Sequence, residues 1–148
     1  MRWLVAVVMV VSLAGCTCND TAKDKPLNKG EISMNVYYLE IVTTDADAVC
    51  AAYTAADGLT FSEPQPELGN ARTATLPGGG ILGVRAPMHA EEAPVIRPYF
   101  LVDDIDAAVA AAEAAGAQIA LPPMEIPGRG KCAIYFLGGT QHGLWQLN

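Results

Sequence analysis

The chain has 148 residues, enough for one domain of ordinary size, and carries 9 Lys+Arg against 16 Asp+Glu for a formal net charge of −7. That acidic balance argues against nucleic acid, whose phosphates select basic surfaces, and against electrostatic docking on anionic lipid. The hydrophobic fraction of 51% supports one compact core, but much of it is alanine or lies near the N-terminus, which leaves too little for a polytopic membrane protein.

In chain order, Arg2 gives a positive start, Leu4 to Leu13 is almost wholly aliphatic, and Leu13-Ala14-Gly15-Cys16 sets small residues before a cysteine. The apolar run falls short of the about 20 residues that a spanning helix needs, so residues 1–15 are expected to be a signal peptide. The Leu-Ala-Gly-Cys order resembles the lipobox of bacterial lipoproteins. The resemblance implies that Cys16 is the lipidated first residue of the mature protein, its acyl chains (palmitate or similar) anchoring the chain at about 0.8 kcal/mol per buried methylene. Thr17 stands where Asp would mark inner-membrane retention, so the expected address is the cell envelope, on the outer membrane facing the periplasm in a Gram-negative host. Residues 16–33 then read as a polar tether, with Asn19-Asp20, three lysines, Pro26 and Gly30 and no apolar period. Cys18, Cys50 and Cys132 remain, without CxxC or zinc spacing. Cys50 and Cys132 lie in apolar runs and are expected as buried free thiols, with a bridge between them left open.

A domain follows over 34–148. Val36 to Thr43 is rich in β-branched and aromatic residues and predicts a strand. Thr44 is an N-cap candidate, Asp45-Ala46-Asp47 opens a helix, and Asp57-Gly58 ends it. Leu59 to Ser62 predicts a short strand, and Pro64, Pro66 and Gly69 a loop. Ala71 to Leu76 and Ile81 to Arg85 predict strands about the turn Pro77-Gly78-Gly79-Gly80. The order then recurs. Val95 to Val102 predicts a strand, Asp103-Asp104-Ile105-Asp106 opens an alanine-rich helix ending at Gly116, and Ala117 to Leu121 predicts a strand. Pro122 to Gly130 reads as a loop, with Glu125 and Arg129 placed to cap a cavity. Lys131 to Phe136 and Gly143 to Leu147 are strands about Gly138-Gly139. Asp45 and Asp104 differ by 59 positions, as do Asp47 and Asp106, while Gly78-Gly79 and Gly138-Gly139 differ by 60. A constant offset carrying one order of elements marks a tandem repeat, module one over 34–87 and module two over 94–148. The expected fold class is α+β: two tandem βαβββ modules whose curved sheets cover each other's faces or enclose a cavity.

Two such modules resemble the vicinal oxygen chelate superfamily, also called the glyoxalase/bleomycin-resistance fold. The resemblance is carried by Thr44-Asp45 with Tyr53 and Gly58, by Val102-Asp103-Asp104-Ile105-Asp106-Ala107-Ala108-Val109, by Pro122-Pro123, by Ile126-Pro127-Gly128 and by Gly143-Leu144-Trp145-Gln146. It spans Val36 to Leu147 and implies the fold, and often a homodimer, but no single reaction, because that fold hosts lyases, dioxygenases, epimerases and binding proteins. Members with a divalent metal take ligands from the first and last strands of each module. Those positions hold Tyr38, Gly83 or Arg85, Arg97 and Gln146. Only Gln146 offers a suitable neutral donor, and His89 and His142 lie elsewhere, so no cofactor is expected.

Strand alternation puts Tyr38 and Glu40 on one face of the first strand, and Arg97 and Tyr99 on one face of the strand that opens module two. With Gln146, and with Arg85 at the end of the fourth predicted strand, they are the candidate ligand-binding residues. An arginine, a carboxylate, an amide and tyrosine rings suit a small polar or anionic organic molecule. Pairing of Arg97 with Glu40 in a closed internal network would suit the same residues. Glu40 is the candidate general base if catalysis occurs. The expectation is an envelope lipoprotein that binds a small molecule without metal. The alternatives are a metal-dependent lyase or dioxygenase-type enzyme and an interaction module with a vestigial cavity.

Overall fold

A computed structural model describes residues 35–148; the expected signal peptide, the expected lipidation at Cys16 and the expected tether lie outside the described residues. The elements run β1 (Val36–Val42), α1 (Ala46–Asp57), a 3-10 turn (Pro66–Leu68), β2 (Arg72–Thr75), β3 (Ile81–Arg85), β4 (Val95–Leu101), α2 (Ile105–Ala114), β5 (Gln118–Ile126), β6 (Gly130–Leu137) and β7 (Thr140–Gln146).

Local chemistry sets both helices. Asp45 caps α1 by accepting from Ala48 N at 3.1 Å, and Asp104 caps α2 by accepting from Ala107 N at 3.0 Å. The expected cap at Thr44 therefore moves one residue on, because an Asp side chain reaches back to the third amide of the helix. Gly58 closes α1 in the left-handed region at φ 68°.

The two modules form one seven-stranded mixed sheet in the order β2-β3-β1-β4-β7-β6-β5, in place of separate sheets. Within the modules β1 runs parallel to β3, and β4 parallel to β7. Between them β1 and β4 pair antiparallel, with Glu40 opposite Arg97 and Tyr38 opposite Tyr99. Two further expectations need correction. Leu59 to Ser62 is not a regular strand: Ser62 N bonds Thr73 O at 2.8 Å, but the prolines at 64 and 66 lack the amides to extend a ladder. Conversely, the loop expected over Pro122 to Gly130 is mostly strand, since β5 runs to Ile126 with register breaks at Ile119/Leu121 and Leu121/Met124. β5 is the sheet's edge, where a proline costs no ladder bond.

The helices cover one face of the sheet in two clusters. Ile41, Cys50, Leu82 and Val84 pack in the first, and Val102, Ile105, Ala108 and Leu144 in the second. The opposite face gathers Tyr38, Tyr99, Ile126, Cys132 and Trp145. Cys50 and Cys132 thus belong to different faces, and both are free, buried thiols.

Candidate functional site

The concave face holds a cavity of about 270 Å³, open to solvent on one side and lined by both modules. Tyr38 and Glu40 reach it from β1, Arg85 from β3, Arg97 and Tyr99 from β4, Cys132 from β6 and Trp145 from β7. Pro66 to Gly69 of module one and Met124 and Ile126 of module two close its sides.

Its floor is an ion network. Glu40, 5% exposed, accepts from Arg85 Nε at 2.6 Å on one oxygen, and from Arg97 Nη1 and the Tyr99 hydroxyl (3.2 Å) on the other. Arg85 also grips Glu92 with both terminal nitrogens, at 2.8 and 2.6 Å. Arg97 bonds Gln141 Oε1 through Nε at 2.9 Å and through Nη2. The bidentate fork fixes geometry as well as charge. Two guanidinium groups face two carboxylates, so the network carries no net charge. Hydrogen bonding from Arg85 holds the Glu92 carboxyl down to about 2. Burial works against the charge on Arg85, but its bonds to Glu92 and Glu40 more than offset this and hold it protonated more firmly than an ordinary arginine.

Above the network stand three rings in mutual contact. Tyr38, Tyr99 and Trp145 have centroid separations of 5.4 to 5.8 Å, within the range of favourable aromatic pairs. The rings fit because two glycines make room: a Cβ at Gly83 would overlap the Tyr38 hydroxyl, and a Cβ at Gly143 would overlap the Tyr99 ring. Burial raises both phenols well above their ordinary range, with the Glu40 charge adding to the effect, so both stay protonated. Burial likewise pushes the Cys132 thiol up to about 11, which makes it a small apolar wall rather than a nucleophile. The hydroxyl of Tyr38 is buried and has no hydrogen-bond partner among the described residues. An orphan donor on a cavity wall calls for an acceptor in that space.

Five of the six candidate residues thus meet at one place: Tyr38, Glu40, Arg85, Arg97 and Tyr99. Gln146 does not, and its assignment is corrected. Its Oε1 accepts from Ile105 N at 2.9 Å at the start of α2, on the helix-covered side of the sheet, and its neighbour Trp145 enters the cavity instead. The parity of β7 is set by burial of the indole, 3% exposed. Of the two glycine-blurred alternatives, Gly83 faces the cavity without a side chain and Arg85 with one. His142 sits within β7, not in a turn, stacked on Tyr135 at 5.2 Å, and His89 is exposed in the connection between modules. Sequence reasoning missed Glu92, Gln141, Cys132 and Trp145. Only Trp145 left a signal, its offset of 60 from Arg85.

These residues do not fit a divalent metal. Tyr38 keeps its proton, Arg85 and Arg97 are fixed cations, and both oxygens of Glu40 are engaged by them. Among the described residues, no three His, Cys, Asp or Glu side chains come together as a metal would require.

No family model matches the chain. Curated proteins from Mycobacterium bovis and Mycobacterium tuberculosis, both bearing the name "Putative glyoxylase CFP32", are 34% identical over 118 residues, covering 75% of this chain and 45% of theirs. The chain thus spans less than half the length of these relatives. Among solved structures, hypothetical protein BH1468 from Bacillus halodurans superposes with a TM-score of 0.61 at 15% identity, over 77% of this chain and 94% of that one. Methylmalonyl-CoA epimerase from Mycobacterium tuberculosis gives 0.60 at 15% identity, over 80% and 93%. At such identities the likeness shows the fold alone. The described residues have the glyoxalase-like, vicinal oxygen chelate fold, and the sequence match and the shared fold together support a domain of that superfamily.

Proposed function

We propose that the protein is an envelope lipoprotein whose glyoxalase-fold domain binds a small, uncharged organic molecule without a resident metal. The observation that carries this reading is the Tyr38 hydroxyl, a protonated donor with no partner among the described residues, on the wall of the cavity. A ligand oxygen or nitrogen acceptor at that point would satisfy it. The expectation of a polar or anionic ligand narrows to the uncharged class, because Glu40 and Glu92 already neutralise Arg85 and Arg97. An incoming anion would meet no unmatched cation and would lose its hydration. Leu121, Met124, Ile126 and Ile134 offer the apolar contact that a carbon skeleton needs.

The enzyme alternative would ask Glu40 to act as a base. Its two oxygens accept three bonds, two of them from guanidinium groups, so a proton could be taken only by dismantling the network. The reading is tested by a thermal-shift panel of small uncharged ketones, amides and ethers against the purified protein, since binding to the folded state raises apparent stability. A hit should lose its shift in Tyr38→Phe. A hit retained by Tyr38→Phe, or a preference for carboxylates over matched neutral compounds, contradicts it. For the envelope address, mass spectrometry should find a diacylglyceryl thioether on Cys16, and Cys16→Ala should release the protein from the membrane fraction. An unmodified Cys16 refutes that part.

A further inference from the structure

We infer that the cavity takes its ligand head first: a neutral acceptor group lies against Tyr38, and an alkyl body leaves through the open side past Met88 and Met124. This rests on the reading of the cavity as a binding site and adds the chemical class of the ligand's other end. The lining is graded from floor to mouth. The ion network and the rings of Tyr38, Tyr99 and Trp145 are buried. Leu121 and Ile134 are half-buried on the walls. The most exposed large apolar side chains of the lining are Met88, 65% exposed, and Met124, 45% exposed. The remaining charge among the lining residues, Glu67, is already paired, accepting from Arg129 Nε at 3.0 Å. This order inverts that of a water-filled hollow, whose charged groups stand outermost, where they stay hydrated.

Backbone bonds hold both methionines at the rim. The Met88 amide donates to Glu92 Oε2 at 2.7 Å, the carboxylate that Arg85 grips. Its sulfur lies against Gly69, where a Cβ would crowd it. Met124 stands in β5 opposite Cys132 of β6. Opposed residues of antiparallel strands project to one face, and Cys132 is part of the cavity wall, so the register sends Met124 to the same side. A methionine side chain is unbranched and polarizable and turns about three bonds, so it moulds to whatever apolar chain lies on it. Two of them flank an opening that leads to a buried donor without a partner among the described residues. That continuity separates them from apolar residues scattered singly over a surface, which need no explanation. The rings are confined to the floor and the path outward is aliphatic, which suits an alkyl chain behind a carbonyl, ester or amide head.

The test is a calorimetric titration of the purified protein with straight-chain methyl ketones, from 2-butanone to 2-nonanone. Affinity should rise about two- to fourfold with each added methylene. Tyr38→Phe removes the contact to the head and should weaken every member by one common factor, about three- to tenfold. The double variant Met88→Gln, Met124→Gln removes the contact to the body. It should weaken 2-nonanone at least about fivefold more than 2-butanone, with the melting midpoint near that of the parent because both positions are exposed. An affinity that stays level along the series, or a double variant that weakens both ends equally, overturns the exit past the methionines. Binding that still depends on Tyr38 in that case leaves the reading of the cavity standing, whereas no binding by any member overturns both. A drop from dimer to monomer in the double variant, read by sedimentation, also overturns the inference, since a second copy of the chain would then cover the rim.

Discussion

Removing one oxygen from the protein should make it more stable. The Tyr38 side chain is 3% exposed and its hydroxyl has no partner. A buried orphan donor costs about 1–3 kcal/mol relative to a state in which water solvates it. Tyr38→Phe deletes that penalty and keeps the ring against Tyr99 and Trp145. The void left beside Gly83 would be about 10 Å³, worth about 0.2 kcal/mol at 24 cal/mol per Å³. The balance is a gain of about 1–3 kcal/mol. For a domain of this size each kcal/mol moves the melting midpoint by about 4 °C, and with a urea m-value of about 2 kcal/mol/M the midpoint rises by about 0.5–1.5 M. Parallel urea titrations of parent and variant, without added ligand, measure the difference. Equal or lower stability in Tyr38→Phe refutes the reasoning, for it would mean that the hydroxyl has a bound partner in solution, such as a buried water.

Three other outcomes follow from the network and its surroundings. Glu40→Gln leaves two buried guanidinium groups without their shared carboxylate and should cost about 3–5 kcal/mol in urea unfolding; a loss below about 1 kcal/mol would show the network to be solvated. Glu92 has a depressed folded pKa of about 2, so its contribution is complete above the unfolded value of about 4.3 and fades as pH falls from there toward 2. Stability measured from pH 6 to pH 2 should drop by at most about 3 kcal/mol more in the parent than in Glu92→Gln, and parallel curves for the two would contradict the assignment. Gln146→Ala removes a bond to the first turn of α2 and should cost about 1 kcal/mol while leaving ligand shifts intact; loss of binding at unchanged stability would return Gln146 to the cavity.

Much of this site was legible because strands obey a period of two. Tyr38 and Glu40 in β1, and Arg97 and Tyr99 in β4, fell on one face by alternation, and the 59-residue offset showed that the two strands hold corresponding places. β7 was misread because the polar residue, Gln146, was expected in the cavity. The larger apolar gain comes from burying the indole of Trp145, and that decides the parity. The repeat carried the correct answer, since Arg85 and Trp145 are 60 apart, as are Gly83 and Gly143. Glu92 was illegible for a different reason. It lies in the irregular connection between modules, where no period constrains a side chain, and its partner is seven residues earlier on a strand end. The prolines at 122 and 123 spoke for a loop in isolation, and only the position of β5 at the sheet edge makes them tolerable in a strand.

The pairing of β1 with β4 bears on how the two halves of a duplicated chain come to differ. The modules correspond so that Tyr38 matches Arg97 and Glu40 matches Tyr99, yet across the junction Glu40 meets Arg97. Had module two instead paired with module two of another molecule through β4, an unmatched arginine from each copy would be buried together. Two copies of module one would bring together two Glu40 carboxylates with no Arg97. Divergence of the repeat has therefore made its halves complementary at the junction, one supplying the carboxylate and the other the guanidinium that meets it.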